Sequence, residues 1–475
     1  MLRLWIPRGP ARYPCASTMH DLTSGSLARN LLRTTTMMLV GMVFQTLYFL
    51  VDLYFVGRLG KSAVAAVSLS GNLMFLTLAL TQMLAVGTTA LVAHATGRKD
   101  RGEARLVFNQ SQILSLVVGG AFLVVMLGLR GRFARGQSAD PETARLAAAY
   151  LAWFVPALAA QFAMVATSAA LRGIGDFKPG MIVQSTTVVL NIVLAPVLMF
   201  GWGTGRPLGV AGTALASFVS VLVGVVALVA YVVRGGGTLR FARSELRPRL
   251  ELWARMLKIG LPAGLEFALM GVYMFAVYAI TRRFGAAAQA GFGIGLRVVQ
   301  AGFMPVVALG FAVSPVAGQS FGARLPERVR GTFRVAALMA VAMMAALALV
   351  CHAFPEALVS VFNRDPDVLA VGGEYLRIVA WNFVPSGIVF VSSSMFQALG
   401  NTLPSLASSV TRTCLAVIPA YLLSRVDGFA LDWIWMLSAA SVVCQMTLNL
   451  LFLRREYARK LGFAEVSVAA APAAG

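Results

Sequence analysis

Two acids interrupt apolar runs in this chain. Asp52 lies in "YFLVDLYFVGRLG", residues 48–60, and its nearest charged neighbours are Arg33 and Arg58. Glu266 lies in "IGLPAGLEFALMGVYMFAVYAI", residues 259–280, four residues after Pro262. A carboxylate at the centre of a membrane helix costs about 2.5–3.5 kcal/mol even on a lenient insertion scale. Burial disfavours the charged form, so such a group binds a proton or pairs with a cation. That is the chemistry of ion-coupled exchange. Asp52 and Glu266 are the candidate coupling acids, with H+ or Na+ as the coupling ion, no other cofactor, and Asp52 as a metal ligand if the ion is Na+.

Helical spacing supplies their companions. Gly41, Gln45, Tyr48 and Asp52 follow one another at intervals of four, three and four, and so share one face, while Leu39, Val43 and Leu50 take the opposite one. Met270, Tyr273 and Val277 share the face of Glu266 by the same spacing. With Asn191 in "VVLNIVLAPVLMFGWG" and Asn382, the residues Gln45, Tyr48, Met270 and Tyr273 form the expected substrate cavity. Thr81, Gln82, Asn72 and Gln161 are further candidates for its lining. A structural alternative for Asp52 is an ion pair with Arg58 or Lys61, since the rise from residue 52 to 58 is only about 9 Å. Arg297 and Arg412 are helix-embedded cations expected to pair with an interior acid or a carbonyl, and His20, His94 and His352 read as structural. There is no Ser/His/Asp arrangement, HExxH, Walker GxxxxGK[ST] or CxxC pair, so the chain does not read as an enzyme.

The elements that must position these residues are membrane helices. The 475 residues are 58% hydrophobic and 12% charged, about half the charged share of a soluble domain. Apolar stretches of about 20 residues, each enough to cross a bilayer, recur along the chain. They lie near 34–57, 64–96, 106–129, 144–171, 179–201, 209–233, 259–281, 287–319, 332–353, 368–398, 405–424 and 431–453. A net charge of +21 would suggest nucleic acid in a soluble protein, but the basic residues fall between the spans, where they set topology. Alternate loops carry Arg98, Lys99, Arg101 and Arg105, then Arg172 and Lys178, then the arginines of 234–258, then Arg324, Arg328 and Arg330. This asymmetry puts both termini in the cytoplasm of a multi-pass membrane protein, and the richness in alanine, valine, glycine and arginine points to a bacterial source and so to the inner membrane. Of the four cysteines, Cys351, Cys414 and Cys444 sit in apolar runs as small residues, and Cys15 lies in the N-terminal stretch.

A repeat follows. A shift of 225 takes Arg58 to Arg283, Gly97 to Gly322, Arg105 to Arg330, Asp140-Pro141 to Asp365-Pro366, and Gly175 to Gly400. Six spans separate the copies, so both insert the same way round and are related by an axis along the membrane normal. The expected fold is an all-α polytopic membrane protein of twelve transmembrane helices in two parallel, pseudo-twofold six-helix lobes. The N-lobe is 34–233, the C-lobe 259–453, and a cytoplasmic linker with a surface helix covers 234–258. Cytoplasmic segments flank these at 1–33 and 454–475, with 1–18 read as an extension ahead of a better start at Met19. The same shift carries Asp52 to Val277 and Glu266 back to Gly41, so the two acids are not symmetry mates.

Several segments resemble the multidrug and toxic compound extrusion (MATE) transporters: "VDLYFVGRLGKSAVAAVSLSGN", "ALVAHATGRKDRGEAR", "ALRGIGDFKPG", "LNIVLAPVLMFGWGTGRPLGVAGTALAS", "FMPVVALGFAVSPVAGQSFGA" and "FQALGNTLPS". The resemblance implies Na+- or H+-coupled efflux of amphipathic, often cationic compounds through a V-shaped pair of lobes. It places Asp52 at the family's first-helix coupling acid and Asn191 at a fifth-helix asparagine near it. The sequence departs from the family at Ala195, where one branch has an aspartate, and at Met37, where many members have proline. Glu266 stands about one turn before the seventh-helix glutamate of other branches, and "AWNFVPSGIVFVSSSMFQ" lacks their tenth-helix aspartate. The expected function is an antiporter, acting as a monomer among membrane lipids, that exports amphipathic, cationic organic compounds by alternating access. The alternative is a flippase or exporter of an amphipathic lipid or metabolite.

Overall fold

The computed structural model describes residues 21–462 apart from 70, 139, 203, 204, 206, 236, 427 and 429, and leaves the side chains of 49, 52, 53 and 72 undescribed. His20, Cys15, the extension before Met19 and the tail from 463 therefore lie outside the described residues. The first half contains α1 (Leu27–Gly57), α2 (Lys61–Leu69), α3 (Gly71–Gly97), α4 (Arg101–Gln137), α5 (Pro141–Gly173), α6 (Lys178–Phe200) and α7 (Val210–Arg234). The second contains α8 (Leu250–Thr281), α9 (Ala286–Gly322), α10 (Pro326–Ala353), the short α11 (Pro355–Ser360), α12 (Pro366–Ala380), α13 (Phe383–Ala398), α14 (Leu403–Leu423) and α15 (Asp432–Lys460). Among the described residues ten spans are long and apolar enough to cross a membrane, or eleven if α12 and α13, bent by 55° at their break, are one. The 31-residue α1 brings the number to twelve.

The duplication is visible in the backbone. Helix starts at Lys61, Arg101, Pro141 and Lys178 recur at Ala286, Pro326, Pro366 and Leu403, each 225 residues on (286 − 61 = 225). Aspartate N-caps at Asp140 and Asp365 precede a helix-opening proline in both halves, the cap side chain accepting orphan N–H groups that proline does not add to. Lys99 and Arg324, the two non-glycine residues with positive φ among those described, are also repeat mates, at 60° and 56°.

Several sequence expectations are corrected. Helices outrun the apolar stretches: the first begins at Leu27, α4 runs to Gln137, and α15 continues past 453 to Lys460. Hydropathy marks only the part of a helix that meets hydrocarbon, whereas polar turns extend beyond it and long basic side chains snorkel outward. The surface helix expected in the linker is instead the opening of α8, continuous with the membrane span from Leu250. The linker before it is clamped to α4: Asn109 donates to the Glu245 carboxylate at 3.0 Å, and Gln110 donates to the Glu245 and Arg247 carbonyls at 2.6 and 2.7 Å. Arg105 adds an ion pair to Glu245 at 2.5 Å.

The lobe boundaries also shift. Leu252, Met256, Ile259 and Ala263 of α8 pack into the core of the first half, while Leu22 and Leu31 pack into the core of the second. The first helix of each lobe thus begins inside the other. The lobes meet most closely at the end where both described termini lie, the basic end. There Gly260 approaches α3 so tightly that a Cβ on it would lie 1.8 Å from the Met83 carbonyl oxygen. Two hydrogen bonds cross the seam reciprocally: His94 Nε2 donates to the Ala398 carbonyl at 2.6 Å, and Gln319 Nε2 to the Gly173 carbonyl at 2.9 Å. Donors and acceptors are both repeat mates (94 to 319, 173 to 398). Gln319 Oε1 also accepts from the Leu22 amide at 3.1 Å, and Arg328 holds the Leu22, Ser24 and Gly25 carbonyls, pinning the segment before α1 to the C-lobe.

Candidate functional site

Each lobe encloses a cavity on its inner face. In the C-lobe, α8 presents Glu266 toward α13 and α14 because Gly264 and Ala263, just before it, let α8 close on α3. The carboxylate accepts from Ser405 at 3.0 Å on one oxygen and 3.2 Å on the other, from Ser409 at 3.0 Å and from Ser393 at 3.3 Å. Gln445 of α15 donates to Ser409 at 3.0 Å, and its carbonyl oxygen is buried without a partner among the described residues. Met270, Tyr273 and Arg412 line the same cavity, of about 150 Å³, and the Arg412 guanidinium lies 5.2 Å from the Tyr273 ring centre. Tyr273 is held by Ser438 at 2.8 Å. A carboxylate ringed by hydroxyls that rotate freely can be served as an anion by their O–H groups, or as the neutral acid by their lone pairs. The same oxygens suit a hard cation such as Na+.

The N-lobe cavity, about 250 Å³, is lined by Gly41, Gln45, Thr81, Gln82, Gln161 and Arg172 and by a run of methionines including Met37, Met42, Met164 and Met181. Gln45 accepts from Gln184 at 3.2 Å. A smaller space beyond it holds Tyr48 and Asn191, which meet on one hydroxyl: Ser217 Oγ lies 2.9 Å from the Tyr48 oxygen and accepts from Asn191 at 3.0 Å. The structure thus gathers Gln45, Tyr48 and Asn191 in one lobe, and Glu266, Met270 and Tyr273 in the other. Asp52 stands one turn beyond Tyr48 on α1, but its side chain, like that of Asn72, lies outside the described residues. Arg58 stacks on Tyr54 and donates to its hydroxyl. Asn382 is buried at the break between α12 and α13 and lines none of the cavities described here.

Two features escaped the sequence. The three serines around Glu266 come from α13 and α14, and only packing brings them to α8. Arg172, expected in a basic loop, instead ends α5 facing the N-lobe cavity. The repeat relates the two linings position by position, since the same shift sets Gln184 against Ser409, Ser168 against Ser393 and Arg172 against Gln397, all cavity residues.

Comparison with known proteins agrees with this architecture. The MatE family model matches the chain twice, over residues 38–197 and 262–422, one match per lobe. The probable multidrug resistance protein YoeA of Bacillus subtilis is 28% identical over 84% of this chain and 87% of its own length. The multidrug export protein MepA of Staphylococcus haemolyticus is 25% identical over 88% and 92%. A multidrug resistance MATE family transporter of the MOP superfamily, solved in an outward-facing conformation, is 25% identical and superposes with a TM-score of 0.85 over 93% of this chain and 98% of that one.

Proposed function

Because the chain belongs to the MatE family, we propose that it is a multidrug efflux carrier: a secondary antiporter that moves amphipathic organic compounds outward against an inward flow of H+ or Na+. The observation that carries the coupling half of this reading is Glu266 inside a membrane lobe, its carboxylate held by Ser393, Ser405 and Ser409. Cation release from this site leaves a charge that the hydroxyls stabilise, and cation entry neutralises it, so occupancy alters how tightly α8, α13 and α14 are tied together. Asp52 is the second coupling acid, placed in the other lobe by its register with Gln45 and Tyr48 on α1. The two carboxylates favour an organic cation, and the methionine walls of the N-lobe cavity suit compounds of varied shape. The carrier works as a monomer in the bacterial inner membrane with both termini cytoplasmic. The tight basic end is then the cytoplasmic one, and this conformation faces outward.

Dye efflux from proteoliposomes tests the proposal. Ethidium should leave under an imposed ΔpH or Na+ gradient, and the gradient that drives it identifies the ion. Asp52→Asn and Glu266→Gln should each cut gradient-driven export at least 10-fold. Full export by both variants removes the coupling mechanism, and a labelled lipid crossing while ethidium does not replaces efflux by flipping.

A further inference from the structure

The duplication that built the two cavities has been broken by charged residues on both sides, Glu266 with Arg412 in the C-lobe cavity and Arg172 with Asp176 in the N-lobe cavity, each standing where its repeat mate is uncharged. In the C-lobe Glu266 stands where the N-lobe has Gly41, and in the N-lobe Arg172 stands where the C-lobe has Gln397. Arg172 lines the N-lobe cavity and also a small recess at the floor of the cleft. That recess lies on the pseudo-twofold axis, because three pairs of repeat mates meet in it: Val86 with Phe311, Thr89 with Ser314, and Arg172 with Gln397. Among the described residues Arg172 makes no side-chain hydrogen bond and no ion pair. The one described acid of that cavity, Asp176, accepts instead from the Tyr231 hydroxyl at 2.7 Å. A guanidinium in a membrane-embedded cavity without a counter-ion is costly, and its planar fork of donors matches an oxyanion. Around it stand neutral amides, Gln82 and Gln397, with Phe311 joining the N-lobe cavity, the C-lobe cavity and the floor.

We infer that Arg172, flanked by Gln82 and Gln397, is the anchoring site for an oxyanion, a carboxylate or phosphate, carried by an amphipathic substrate whose apolar body lies against the methionine wall and Phe311. The inference rests on the efflux reading and refines it: the cargo includes amphiphiles bearing an anionic group, and not only simple cations. An amphiphile with both charges has a place for each, the oxyanion at Arg172 and the cationic group toward Glu266. The oxyanion of a lipid headgroup and free phosphate share this chemistry, and the test separates them.

Equilibrium binding of dansylglycine and its uncharged methyl ester is measured by fluorescence on full-length protein in phosphatidylcholine nanodiscs. The wild type should bind the carboxylate at least 10-fold more tightly than the ester, with the preference shrinking as salt rises. Arg172→Gln, which copies the residue the other lobe already carries, should weaken dansylglycine about 10- to 100-fold, the range for a lost hydrogen bond to a charged group. Ester binding should be unchanged, which also shows that the cavity is folded, and Arg172→Lys should keep part of the preference. Equal wild-type affinity for acid and ester overturns the site whatever the variants do, and so does a parallel loss of both ligands in Arg172→Gln. Displacement of dansylglycine at equal potency by inorganic phosphate alone reassigns the site to a free anion and overturns the amphiphile, whereas displacement by phosphatidylglycerol added to the disc supports it and identifies a lipid headgroup as the source. Because binding is read without a gradient, an intact oxyanion preference beside absent dye export condemns the efflux reading and spares this one.

Discussion

Ser405 touches both oxygens of Glu266, so its loss is felt by the carboxylate more than that of Ser393 or Ser409. Ser405→Ala should leave the anion short of a donor, a cost of about 1–3 kcal/mol. In a proton-coupled carrier the pH profile of ethidium export is displaced from that of the wild type. In a Na+-coupled carrier it loses a ligand and needs roughly tenfold or more Na+ for half-maximal export. Measuring export against pH and against Na+ therefore tests the role of the serine cluster, and an unchanged profile in both removes it. The acid itself was legible in the sequence, since a glutamate in an apolar run has few reasons to exist. Its serines were not, because their spacing to residue 266 is fixed by the approach of α13 and α14 to α8 and by nothing local.

At the scale of elements, the helix ends carry the repeat more faithfully than the side chains do. Lys99 and Arg324 close α3 and α9 in the left-handed region, with the Asp100 amide reaching back to the Ala95 carbonyl and the Leu325 amide to that of Ser320. A side chain in that conformation crowds its own carbonyl, and glycine does not. Lys99→Gly and Arg324→Gly should each stabilise the fold by about 1 kcal/mol, seen as a higher melting temperature in detergent. A drop in either would mean that the basic side chain supplies more than the turn costs. The DP pairs and the glycines at the helix ends made these boundaries readable from residue types. The α12–α13 bend was readable as well, although 368–398 reads as one apolar stretch: Pro385 has no N–H for the Trp381 carbonyl and its ring crowds that carbonyl, so the helix breaks at 381–382.

For the whole molecule, the seam at the basic end must part for the cleft to open there. Gly260→Leu drives a side chain into the Met83 carbonyl and should hold that end apart. Spin labels at the mates 99 and 324 would then report a longer distance than in the wild type, with ethidium export reduced, whereas an unchanged distance would show that the seam yields without opening. The two lobes were legible from a single offset, yet the seam between them was not, because glycine contacts and backbone carbonyls leave no pattern in hydropathy. That seam has the form of an isologous homodimer interface, in which residue i of one half meets j of the other and j meets i. The start of each lobe's first helix is lodged in the opposite core, as arms are in a domain-swapped dimer. The acceptors of its two reciprocal bonds are main-chain oxygens, which every residue offers. A histidine in one half and a glutamine in the other therefore keep the same grip, and the two copies are free to diverge in sequence while the joint between them stays symmetric.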